Sequence, residues 1–403
     1  VLASFGWVHA RIAHTGRRVS SSNVHLYKAS DYANIAWPKA EDAQRARAYL
    51  EPILRQGTRF VAPNLSAELF IAIAGEHVVP CTRSLEQPAQ SYIVSPFTHY
   101  ITYGAEEISK LKNPALEAPL RGIVTALGGV LQRAHFDRVV YVDNWLTSTS
   151  LHPSFTESEL KALIHALVQA HPDCAIVLRS VDVRTGRALD AQVRALGARL
   201  VFSRRVLFQD PKQAQHRRDH RKDKALLNAA LASGAYRVLD ARTLDPEGMR
   251  RITELYDLLY VGKWSQHNPK LTVAYVTHAL ACGFLEGQVL VSRSGSIDGV
   301  FAAWTRNGLY YVPLLGYDTH LPQSLGLYRM LAALSTEDAL ERGVLVHDSA
   351  GVSDFKQNRG AVPVVEHSAV FDGHLPLARR APWALLAALM SKVGVPLIEH
   401  YDL

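Results

Sequence analysis

The chain has 403 residues, of which 48% are hydrophobic and 20% charged; this excludes a disordered protein and, at this length, predicts two domains rather than one core. Its formal charge of +7 favours an anionic partner without requiring one. Cys81, Cys174 and Cys282 are far apart and odd in number, which excludes a disulfide framework or zinc spacing and fits a reducing compartment; no apolar run reaches the roughly 18 residues of a membrane span, so a soluble cytoplasmic protein is expected.

In chain order, residues 1–25 lack an initiator Met and a continuous apolar segment and are expected to be mobile. EDAQRARAYLEPILRQG (41–57) reads as a helix. AELFIAIAGEHVVPCT (67–82) reads as two strands turning at Gly75–Glu76, and SYIVSP (91–96) as a further strand. Residues 115–134 read as a helix, 137–143 as a strand, 156–171 as a helix, 174–181 as a strand and 186–198 as a helix. RLVFSRRVLFQD (199–210) is a strand leading into the basic stretch RRDHRKDK (217–224), a helix whose five cations are interleaved with two Asp. A solvated helix face and a phosphate or RNA contact are both compatible with that stretch. His216 and His220 stand four apart there, but the arginines on the same turn argue against a metal.

The second half is punctuated more clearly. YRVLDA (236–241) is a strand, and Asp245–Pro246 opens a helix with apolar residues at helical spacing. Asn268–Pro269 predicts the start of a second helix. Residues 284–295, 297–308 and 309–318 form three strands in a meander, with Asn307–Gly308 as a tight hairpin. A helix over 321–343 ends at Gly343; VLVHDS is a strand, VSDFKQNRG a short helix and VPVVEHSAVFDG the last strand.

Strand, helix, helix, three strands, helix, strand, helix, strand is an order that resembles the GNAT superfamily of N-acyltransferases, over residues 236–372. The first half repeats the plan without residue-level identity. Two such units joined by a helix resemble the Fem family of aminoacyl transferases, and DFKQNRGAVPVV supplies the Phe355, Lys356 and Gly360 of its signature. The resemblance implies an α/β protein with a mixed sheet, built as tandem GNAT-like domains at 1–210 and 236–403 with a connecting helix at 211–235.

It also implies where chemistry belongs. The superfamily pattern Gln/Arg-x-x-Gly-x-Gly/Ala is matched by Gln323, Ser324, Leu325, Gly326 and Leu327 but broken by Tyr328, which would crowd a diphosphate at a helix N-terminus. Lys356 and Arg359, three apart, can share a helix side and hold a donor's anionic group. His347 and Asp348, at a strand end, and Lys356 are candidate catalytic groups, with the two strand neighbours pointing to opposite faces. A hydrogen-bonded strand-end histidine and a surface lysine are the plainer readings of His347 and Lys356. Trp264, Gln266, His267 and Tyr317 are candidates for the acceptor pocket, and SPFTHYITYG (95–104) and YVDNWLTSTSLHP (141–153) for its opposite wall.

The expected reaction is N-acyl transfer by direct attack of a small-molecule amine, with no metal and no tightly bound cofactor. The donor is an acyl-CoA or acyl carrier protein thioester; the alternative is aminoacyl-tRNA. A GNAT-fold binding protein that has lost its site is a further alternative.

Overall fold

A computed structural model describes residues 24–88, 90–108 and 113–396 of the chain. Twelve strands form one mixed sheet: β1 (Val24–Lys28), β2 (Ala67–Ala74), β3 (His77–Ser84), β4 (Val139–Val142), β5 (Ala175–Val181), β6 (Arg199–Gln209), β7 (Tyr236–Asp240), β8 (Glu286–Ser292), β9 (Ile297–Arg306), β10 (Leu309–Tyr317), β11 (Leu345–His347) and β12 (Val362–Phe371). The helices are α1 (Glu41–Gln56), α2 (Tyr103–Ile108), α3 (Pro114–Arg133), α4 (Glu157–Ala170), α5 (Arg187–Ala195), α6 (Pro211–Ala214), α7 (Arg218–Ala232), α8 (Pro246–Tyr256), α9 (Val273–Ala281), α10 (Leu327–Arg342), α11 (Ser353–Gln357) and α12 (Leu377–Leu389). The mixed α/β architecture expected from the sequence is the one adopted.

The strand order is β1-β2-β3-β4-β5-β12-β6-β11-β10-β9-β8-β7. Adding or subtracting six from every label reverses that list into itself, so the halves are repeats about an axis between β6 and β12. Each half runs four antiparallel strands and then a parallel fifth: β4 pairs β5 in parallel, and β10 pairs β11 in parallel. The sixth strands are exchanged. β12, from the second half, lies against β5 of the first, and β6, from the first half, lies against β11 of the second. The middle strands are buried on both faces: Val140 and Val142 pack with α4 residues, Val139 and Tyr141 with residues of α3 and α12. This is why they read as continuous apolar runs rather than alternating ones.

The halves also share a core. Leu50 and Ile53 of α1 belong to the same apolar cluster as Ile252 and Leu255 of α8 and Val276 of α9. Each such fully buried side chain contributes about 1.5–3 kcal/mol. Within it the Tyr49 hydroxyl donates to the Trp145 carbonyl at 2.9 Å and lies 3.1 Å from the Tyr275 hydroxyl, so the polar tips are satisfied as well as the rings.

Four expectations are corrected. SYIVSP is not a strand: Ser91 N donates to the Asn64 carbonyl, Val94 N to Ser91, and the Ser95 hydroxyl accepts from Thr98 N, so these residues turn into a helical segment. Asn268 does not cap a helix; its amide donates to the carbonyls of Tyr260 and Ser265, and α9 begins later, where the Thr272 hydroxyl accepts from Tyr275 N. The helix expected from 321 begins at Leu327, because Gly326 is left-handed at φ 70°. Val24 and His25, expected to be mobile, lie on β1 paired with Ala74 and Ile73; residues 1–23 lie outside the described residues.

Candidate active site

Strands β10 and β11 run together for only three residue pairs, Leu309–Leu345, Tyr310–Val346 and Tyr311–His347. Beyond Tyr311, β10 carries one extra residue against β9, between the pairs Tyr311–Trp304 and Leu314–Ala302. Pro313 sits in that bulge, where its missing N–H is tolerated. On the other side the chain leans away toward β6: Asp348 N donates to the Leu207 carbonyl at 2.8 Å and Leu207 N to the Ser349 carbonyl at 3.0 Å, while Ser349 turns left-handed at φ 54°. The sheet is therefore open between β10 and the segment after β11. A cavity of about 530 Å³ occupies the opening, a size common for small-molecule sites.

Both halves line it. Asp348, Lys356 and Tyr317 come from the second half, and His99, Tyr103 and Arg204 from the first. Parts of 95–104 and 141–153, among them Tyr100 and Ser148, form the far wall. Asp143, Asn144 and Trp145 do not line it; Asp143 is buried, accepting from Trp145 Nε1 at 2.7 Å and lying 3.3 Å from Arg306.

His347 and Asp348 both line the cavity, not opposite faces, because the strand has ended by Asp348. The His347 ring accepts from Ser349 N through Nδ1 at 3.2 Å, and its buried Nε2 faces Glu366 Oε2 at 3.6 Å, beyond hydrogen-bond distance. With Nδ1 accepting, the ring proton is assigned to Nε2. Glu366 in turn accepts from Arg204 Nε at 2.8 Å, and Arg204 also donates to the Ser148 carbonyl at 3.0 Å and the Thr149 hydroxyl at 2.9 Å. Burial opposes the Glu366 charge, yet Arg204 and His347 together hold its carboxyl well below the usual range.

Asp348 differs. Its carboxylate has 34% of its surface exposed, with Lys356 Nζ 3.7 Å away, and burial is the largest influence on it, raising its pKa. Lys356 donates to the Asp348 carbonyl and to the Ala350 carbonyl at 3.1 Å, so the ammonium knits 348–350 into a loop; burial lowers its pKa. His99 is pushed down to about 3 by burial and by the Arg204 and Arg179 charges, and stays neutral at ordinary pH. Burial pushes the Tyr311 hydroxyl up to about 12, keeping it a donor; it meets the Ser148 hydroxyl.

Gln323, Ser324, Gly326 and Leu327 do not line the cavity. Gly326 lies against α7, where an added Cβ would be 2.6 Å from Leu226. Tyr328 does line it, with its ring 4.7 Å from Phe355 and 6.1 Å from Tyr317. Arg359 lines it too but does not clamp with Lys356: its Nε donates to Asp223 of α7 at 2.6 Å, and its guanidinium stacks on Phe355 at 3.3 Å. Arg329 takes the other Asp223 oxygen at 2.6 Å, so the basic helix carries a buried acidic anchor as well as surface charge. Trp264 lines the cavity; Gln266 donates to the Val261 carbonyl, and His267 approaches Glu106 at 3.6 Å, both outside the lining. Among the described residues there is no cluster able to hold a metal ion and no helix long and apolar enough to cross a membrane.

The sequence reading missed Arg204, Glu366 and most of the tyrosines. Arg204 stood in the strand RLVFSRRVLF and Glu366 in VPVVEHSAVF, where a charge amid apolar residues was the available signal.

No family model and no curated protein matches the chain. Among solved structures it is similar to L-PGS from Bacillus licheniformis, at 14% identity over 57% of this chain and 78% of that one, TM-score 0.43. It is similar to FemX at 11% identity over 61% and 82%, TM-score 0.43. It is also similar to a tandem GNAT protein from the clavulanic acid biosynthesis pathway, at 12% identity over 86% and 98%, TM-score 0.39. FemX and a tandem GNAT protein are thus among the structures this chain is similar to, and GNAT and Fem are the groups its element order resembles.

Proposed function

We propose that the protein is an N-acyltransferase in which an amine attacks an activated acyl ester or thioester at the opening between β10 and β11. The observation that carries this reading is the coincidence of that opening with the cavity and with Asp348 and Lys356 on its wall. Amide formation needs a base for the ammonium proton and a donor for the charge that leaves the carbonyl. Asp348, raised by burial and part-exposed to the cavity, takes the proton from the attacking nitrogen. The C–N bond forms, the C–S or C–O bond of the donor breaks, and the Tyr311 hydroxyl donates to the departing atom. Lys356 is a positioning residue that fixes Asp348 through the carbonyls of its loop. His347, whose Nδ1 already accepts from Ser349 N and whose Nε2 faces the Glu366 carboxylate, is given a place beside Glu366 rather than the role of base.

The donor is a thioester of coenzyme A or a carrier protein in the first reading. Tyr328 favours a second, an aminoacyl ester on tRNA, because its ring and that of Phe355 stand where the start of α10 would otherwise face a diphosphate. The test incubates the purified protein with acyl-CoA mixtures or charged tRNA and a pool of amines, with amide products read by mass spectrometry. Amide is expected from one donor class, with Asp348→Asn lowering the rate by roughly 10²-fold or more. The acid limb of the rate profile should lie above the ordinary aspartate value of about 3.9 and disappear in the variant. Asp348→Asn and Lys356→Met at the wild-type rate would remove both residues from the chemistry; no amide from either donor would leave a non-catalytic binding protein as the answer.

A further inference from the structure

Two of the additions that break the internal two-fold repeat lie next to the cavity. Between β3 and β4 the first half inserts α2 and α3, where the second half has only the two-residue turn Asn307–Gly308 between β9 and β10. After β12 the chain continues into α12 and the one-turn segment Met390–Gly394. These two additions pack on each other, with Phe136, just after α3, 4.0 Å from Trp383 of α12, and they share an apolar cluster over β4 and β5.

Both additions reach the cavity, and apart from Tyr103, Gly104 and Glu107 of α2 what they bring is apolar. Ile108, Leu120, Ile123 and Val124 line it from the insertion, Met390 and Val393 from the C-terminal segment. Ile123 remains 44% exposed and Val393 36%, an arrangement that a cavity for small polar reactants would not need. The floor, by contrast, carries Arg204, His347, Asp348 and Lys356. One continuous space thus grades from a charged floor to a largely apolar mouth built by the insertion and the C-terminal segment.

We propose that one substrate carries a long aliphatic chain, which lies in this mouth while its reactive head reaches the floor. The reading rests on the acyl-transfer proposal only for which partner bears the chain; the subsite itself is a matter of binding. Committing the mouth to a chain follows from its continuity with the reactive floor, since the same lining includes Ile123 and Asp348.

The experiment measures the affinity of the full-length protein for linear alkylamines and for S-acyl-pantetheines, each from four to fourteen carbons, by calorimetry. Affinity rising about two- to fourfold per methylene in one series supports the proposal and assigns the chain to the acceptor or the donor; flat series in both overturn it. Ile123→Asp and Val393→Asp should each weaken the longest member at least tenfold and leave the shortest unchanged. Leu377→Asp, on α12 but outside the lining and 76% exposed, should change neither, and unaltered affinity in the two mouth variants also overturns the proposal. The series is repeated in Asp348→Asn, where length dependence should persist because the subsite is a matter of binding; length dependence in a wild-type protein that forms no amide from either donor would keep the chain subsite and remove only the transfer reading.

Discussion

Glu366 and Arg204 face each other from adjacent central strands, with side chains only 3% and 16% exposed. Such a pair adds little over an apolar one, but removing one partner strands the other charge. Glu366→Gln should therefore lose about 3–5 kcal/mol in urea denaturation. Because the folded carboxyl is held low, its contribution is complete above the ordinary glutamate value of about 4.3 and fades as pH falls below it. The gap between wild type and variant should close in acid; a gap constant down to low pH would show that Glu366 stabilises by packing alone. At this scale the sequence revealed one side of the site. His347, Asp348 and Lys356 were legible as polar residues at a strand end and on the next helix. Their neighbours Arg204 and Glu366 were not, since only the pairing of β6 with β12 and β11 brings them near.

Elements were legible where local chemistry sets them. Asn307 and Gly308 both take positive φ, 52° and 74°, the conformation a two-residue hairpin demands. The turn at 91–96 was not legible, because an apolar hexapeptide satisfies a buried turn as well as a strand. Nor was the approach of α8 to β10. A Cβ built on Gly316 would lie 2.5 Å from the backbone of Leu255 and Tyr256, so the strand touches the helix end directly. Gly316→Ala should push α8 off β10 and lower stability by about 3 kcal/mol by chemical denaturation. A variant as stable as wild type would mean that the helix end yields freely.

For the whole molecule, the α/β class and the element order of the second half could be read from periodicity and punctuation. The exchange of β6 and β12 could not, because nothing in a strand's own residues says which half it will join. Without β12, β5 has an unpaired edge and β6 loses its longest ladder, an invitation to aggregation. Residues 1–235 expressed alone should thus give no cooperatively folded monomer, whereas co-expression with 236–403 should restore a soluble complex, checked by circular dichroism and gel filtration. A stable, cooperative 1–235 fragment would show that the repeat units fold independently and exchange afterwards.

The crossing of those two strands also sets a clock on synthesis. Some 150 residues separate Gln209, where β6 ends, from Val362, where β12 begins. At typical elongation speeds the ribosome takes on the order of 10–30 s to cover that distance. Throughout that interval the early half waits with an open flank for a piece not yet translated, so the nascent polypeptide is a natural client for chaperones that shield bare strand edges.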